Sequence, residues 1–126
     1  MRRPRLRLVR RVSDVLGLPK TAARILECMA RAGRYMPVAE LVARVRMSER
    51  SVRKHLSVLV RRGLLQRRAS PRGSKKIAYE YRVPSAHALV EAARTDFART
   101  FAVLESFIKK IGGAKSSPRS VSSSRN

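Results

Sequence analysis

The sequence has no tryptophan, one cysteine, two histidines and eight acidic residues among 126. A single thiol, Cys28, excludes an internal disulfide and a cysteine-based zinc cluster, and it reads as an inert buried or half-buried side chain rather than a redox sensor. His55 and His87 stand too far apart in sequence to form a familiar ligand pair, so no metal is expected. No apolar run is long enough to cross a bilayer and no signal peptide is visible, so no membrane partner is expected and the chain reads as cytoplasmic. The acid-free start from Met1 to Val12 has the composition of an organellar transit peptide, but the basic excess continues far beyond it, and it is read as part of the mature chain. Asparagine occurs only at Asn126 and glutamine only at Gln66, a scarcity that suits a thermophile and that GC-rich coding would also produce. Also missing are a phosphate-binding glycine loop, a cysteine–histidine arrangement and an evident acid pair, so neither an enzyme nor a cofactor is expected.

What is abundant is positive charge: 30 Lys and Arg give a formal net charge of +22. Such an excess calls for a polyanion, and with no membrane segment the candidate is nucleic acid. Arginine dominates, and its planar fork suits phosphate and guanine. The charge is also localised. Residues 44–76 carry twelve basic side chains against one acid, Glu49, so half the net excess lies in about a quarter of the chain.

Periodicity divides the chain into four parts: a basic N-terminal arm (1–16), a compact domain (17–84), a long helix (85–111) and a Ser-rich basic tail (112–126) with too little to bury to fold. Within the domain, Pro19 suits a first helical position and Ala22, Ile25, Leu26 and Met29 recur at helical spacing up to Gly33. A shorter helix opens at Pro37 with Val38, Leu41, Val42 and Val45. A third runs from Glu49 to Arg62 behind the N-cap Ser48, and Gly63 stops it. Two strands follow, Leu64–Ala69 and Ile77–Val83, around a Ser-Pro-Arg-Gly-Ser turn. The expected fold is mainly α with a small antiparallel β-hairpin: a winged helix-turn-helix followed by a C-terminal dimerisation helix.

The run Leu16-Gly17-Leu18-Pro19-Lys20-Thr21-Ala22-Ala23-Arg24, the helix Met47-Ser48-Glu49-Arg50-Ser51-Val52-Arg53-Lys54-His55-Leu56, the step Arg62-Gly63-Leu64-Leu65 and the stretch Tyr81-Arg82-Val83-Pro84 resemble the DNA-binding domain of archaeal TrmB-like regulators over residues 16–95. MarR-like and ArsR-like regulators share the helix type and the Gly-Leu step more distantly. The resemblance implies a transcriptional regulator. Full-length members of the TrmB-like family carry a large C-terminal effector domain, this chain ends where it would begin, and sugar sensing is not carried over.

Independently of family, a 100° helical step puts Val52, Leu56 and Leu59 on one side of the third helix and Arg50, Lys54, Ser57 and Arg61 on the other. Arg50, Ser51 and Lys54 are the candidate base contacts, Arg53 and Ser48 candidate phosphate contacts, and Ser57 lines the same face. Arg67, Arg68, Arg72, Lys75 and Lys76 make a cationic wing suited to backbone or minor groove. Arg2, Arg3, Arg5 and Arg7 give the arm nonspecific affinity, either by tracking a second groove or as a disordered tether. In the last helix Phe97, Phe101, Leu104, Ile108 and Ile111 follow steps of four, three, four and three, and Val90 extends the seam backwards past Arg94. That pattern predicts a homodimer, the alternative being a helix that folds back on its own domain. The partner is then double-stranded DNA, read by a dimer with half-sites one turn, roughly 34 Å, apart. The localisation expected with it is cytoplasmic and nucleoid-associated, and three alternatives stand beside this reading: an abundant chromatin-type protein with low sequence preference, an RNA-binding or ribosome-associated winged helix, and a protein-interaction winged helix. Three Tyr and three Phe offer little stacking surface for single-stranded bases.

Overall fold

The computed structural model describes residues 2–71 and 78–112. They fall into two units, Met1–Asp96 and Phe97–Asn126. The elements are α1 (Arg2–Leu16), α2 (Lys20–Ala32), β1 (Met36–Pro37), α3 (Val38–Val45), α4 (Glu49–Arg61), β2 (Gln66–Ala69), β3 (Tyr79–Arg82) and α5 (Ala86–Gly112).

The first unit has one core. Ile25, Leu26 and Met29 of α2, Leu41 of α3, Leu56 and Leu59 of α4, Met36 of β1 and Leu89 of α5 are all at most 1% exposed. Those of α2, α3 and α4 are the positions that recur at three and four in the sequence, and burying each of these side chains contributes about 1.5–3 kcal/mol. Ser85 caps α5 through an Ala88 N–H donated to its Oγ at 3.2 Å. Desolvation in this region pushes the Cys28 thiol above its ordinary range, outweighing Arg44 and Arg31, so the thiol stays protonated at neutral pH.

Two elements differ from the sequence expectation. Residues 2–16 are not an extended arm but the helix α1, which packs along α2. Val9 and Val12 are buried and Leu6 and Leu16 pack against the core, a stripe at spacings of three, three and four that the surrounding arginines obscure. The wing is not a bare hairpin either. β3 pairs antiparallel with β2 and also with β1, in the order β1-β3-β2, so that Met36 lies opposite Tyr81 and Pro37 opposite Glu80. Two residues are too few to show strand periodicity, and this strand exists because β3 offers it an edge.

Gly63 sits at φ 79° just after α4, and a Cβ there would meet the Ala92 Cβ of α5 at 3.3 Å. Both terms act against a side chain, so Gly63→Ala is expected to cost about 2 kcal/mol, most of it from the left-handed backbone. Urea denaturation measures it; a loss below about 0.5 kcal/mol would mean that the turn relaxes freely.

Candidate nucleic-acid interface

Helix α4 is positioned by its own amphipathicity. Val52, Leu56 and Leu59 are sealed in the core, which turns Arg50, Arg53, Lys54, Ser57 and Arg61 to the exposed side, with Ser51 half-buried at the start. Ser48 caps the helix, its Oγ accepting the Ser51 N–H at 3.1 Å. From the opposite flank His55 Nε2 meets Thr21 Oγ1 of α2 at 3.0 Å, which fixes the rotation of α4 about its axis.

The cations of this region divide into two kinds. Several are engaged within the protein: Arg44 and Arg34 hold Glu40, Arg62 holds Asp96, and Arg68 holds Glu80. Hydrogen bonding from Arg34 keeps the Glu40 carboxyl below the usual carboxylate range. Arg53 pairs with Glu49 at 2.8 Å, but both side chains are about 60% exposed, so the pair contributes only about 0.3–0.5 kcal/mol and exchanges readily for a phosphate. Among the described residues, Arg50, Lys54 and Arg61 form no ion pair. At steps of four and seven they stand with Ser57 on one stripe.

The register of the wing separates two arginines that are adjacent in sequence. Arg67 lies opposite Tyr81 and Arg68 opposite Glu80, so the two point to opposite faces of the sheet. On one face Arg67 stacks over the Tyr79 ring at 4.3 Å. On the other, Arg68 donates to Glu80 and lies 4.0 Å from the Tyr35 ring, which also carries Arg82 at 4.7 Å. Arg67 therefore faces α4, and a cleft of about 490 Å³ opens between them, lined by Arg53, Ser57, Val60 and Arg61 of the helix and Arg67, Tyr79 and Tyr81 of the sheet. Three guanidiniums and two phenol rings give it the chemistry of a phosphate or sugar–phosphate seat.

The site residues read from sequence are thus distributed unequally. Ser48, Arg50, Ser51, Arg53, Lys54, Ser57 and Arg67 gather around α4 and its cleft, whereas Arg68 is turned away and tied to Glu80. Arg7 is exposed and Arg5 half-buried on α1. Arg72, Lys75 and Lys76, and the side chains of Arg2 and Arg3, lie outside the described residues. Arg61 was legible on the helical stripe but not singled out; the cleft is what gives it a place beside Arg67. The seam residues Val90, Phe97, Phe101, Leu104, Ile108 and Ile111 are 38–83% exposed, joined by Val103 and Phe107, and Phe97 stacks on Phe101 at 6.3 Å. Among the described residues no group of three metal-ligating side chains occurs, and no helix is long and apolar enough to cross a membrane.

Three helices, a turn-linked pair and a small sheet beside the second of that pair define a winged helix-turn-helix. The family model that matches is that of the MarR family, over residues 16–76, and the fold is a MarR-like winged helix with a long C-terminal helix. A possible transcriptional regulator from Methanosarcina mazei Go1 superposes with a TM-score of 0.60 at 15% identity, over 79% of this chain and 83% of that one. A cysteine-to-serine mutant of E. coli MarR, solved in complex with operator DNA, gives a TM-score of 0.51 at 16% identity over 86% of both chains. A MarR family transcription regulator, SP03579, gives 0.52 at 21% identity, over 82% of this chain and 67% of that one. No curated protein matches the sequence.

Proposed function

We propose that this chain is a double-stranded DNA-binding transcriptional regulator that works as a homodimer, reading the major groove with α4 and holding the backbone with the α4–wing cleft. The observation that carries the reading is the outward stripe of Arg50, Lys54, Ser57 and Arg61, cationic and free of internal ion pairs among the described residues, on a capped helix of groove-fitting width. The capture of the similarly folded E. coli MarR on operator DNA supports it. So does the net charge of +22, which the fold alone does not require. The motifs at residues 16–24 and 81–84 support a TrmB-like variety of the module. Dimerisation through α5 is supported by the apolar face that begins at Val90 and runs to Ile111.

Selection from a random duplex library at two salt concentrations, with structured RNA as competitor, tests the reading. The expected result is an enriched duplex whose association constant falls with salt at a log–log slope of about −0.9 per phosphate neutralised. Arg50→Ala with Lys54→Ala should then cost the selected duplex about 2–4 kcal/mol while taking much less from unrelated duplexes. Equal losses on every duplex would indicate a DNA-coating protein, and preferential capture by the RNA competitor would overturn the reading.

A further inference from the structure

Four described residues adopt a left-handed backbone: Gly17, Gly33, Gly63 and Arg46. Three are glycine, for which that conformation carries no side-chain clash. Arg46, at φ 56° and ψ 46°, is the exception, and it occupies the turn between α3 and α4. The local structure gives no reason for a side chain there. The Arg46 N–H donates to the Val42 carbonyl at 3.0 Å, and the preceding carbonyl, that of Val45, accepts from Arg24 Nη2 at 2.6 Å. Both contacts are with main chain that glycine would supply equally well. The Arg46 side chain is exposed and makes no ion pair or hydrogen bond among the described residues. An unfavourable conformation retained with no structural return points to a role outside the fold.

Its position suggests the role. Arg46 is two residues before the cap Ser48, so its Cα lies within about 7.6 Å of the Ser48 Cα. A guanidinium on that turn is placed beside the end of α4 that carries Arg50 and Ser51, but off the outward stripe of the helix, which suits a backbone phosphate better than a base edge. We infer that Arg46 is a DNA-phosphate contact that sets the depth and register of the recognition helix, and that its left-handed backbone is tolerated for that contact. The inference rests on the DNA-binding reading above.

The test compares the full-length protein with Arg46→Gly and Arg46→Lys on the selected duplex, by affinity across a salt series and by thermal melting without DNA. Arg46→Gly should melt no lower than the parent, bind about eightfold more weakly at 0.1 M salt, and show a slope shallower by about 0.9. Arg46→Lys should keep the parental slope. A lower melting temperature for the glycine variant would show that the side chain serves the fold and would overturn the inference. So would an unchanged slope in Arg46→Gly, or a lysine variant that behaves like glycine, with DNA binding by the parent left intact. A parent that binds no duplex removes the DNA reading itself, and this inference with it.

Discussion

Replacing Arg62 by alanine is expected to remove about 3 kcal/mol of folding stability and to lower the melting temperature by roughly 10–20 °C. Arg62 ends the run of α4 and donates from Nε to both oxygens of Asp96 at 3.0 and 3.1 Å and from Nη2 to Oδ2 at 2.6 Å. Asp96 is only 6% exposed and Arg62 27%, and the pair holds the Arg62 guanidinium above even its usual range through that hydrogen bonding. Deleting the arginine takes three charge-assisted hydrogen bonds from a nearly buried carboxylate, which costs more than the pair itself contributes. The exposed pair Arg53–Glu49 supplies the contrast, since Arg53→Ala should change stability by no more than about 0.5 kcal/mol. A double replacement, Arg62→Met with Asp96→Leu, removes charge and counter-charge together and should recover most of the loss. Denaturant titrations of the four proteins decide it. If Arg62→Ala lies within about 1 kcal/mol of the parent, the junction between α4 and the first turns of α5 is held by packing alone.

Ion pairs of this kind are also why charge counting overstates the candidate nucleic-acid surface. In sequence, residues 44–76 show twelve cations against Glu49 alone, because Glu40, Glu80 and Asp96 lie outside the window. The fold brings those three acids back against Arg44, Arg68 and Arg62. Separations of 12 and 34 residues, for Arg68–Glu80 and Arg62–Asp96, are set by strand register and helix packing, which local periodicity does not carry. What local chemistry does carry came through clearly. The apolar stripe of α4, the Ser48 cap and the Gly63 stop each depend on neighbours within four residues, and each stands where its sequence signature puts it.

The same division accounts for the other differences. The stripe Leu6–Val9–Val12–Leu16 was present in the sequence, but six arginines among the first 16 residues made the segment look like a solvated arm. A helix with one apolar stripe tolerates cations on every remaining position, so charge density does not argue against helix. Alternation in β2 places Arg67 and Arg68 on opposite faces, yet which face looks toward α4 follows only from the sheet's docking. The backbone sign at Arg46 has no sequence signature, since nothing distinguishes it from an arginine continuing a helix.

The second large effect concerns α5, where Phe101→Glu combined with Ile108→Glu is expected to convert a two-chain particle into a single chain and to weaken binding to a two-half-site duplex by about 10²–10⁴-fold. Phe101 is 52% exposed and Ile108 67% in the single chain, and both belong to the seam that a second copy would cover. Burying a carboxylate at either position in an apolar contact with a second copy costs several kcal/mol through desolvation. With Val103 at 54% and Phe107 at 56% exposed, the apolar face is broader than the narrow stripe a two-stranded coiled coil uses, so a second copy must bring more than one helix to cover it. Ala102→Glu, on the opposite side of α5, is the control and should leave the particle mass unchanged. Light scattering at several protein concentrations reads the mass, and titration with a single half-site separates lost bivalency from damaged recognition: the single half-site should bind parent and variant alike. A parental mass of one chain would end the dimer reading, whereas a two-chain mass for the doubly charged variant would move the interface off this face of α5.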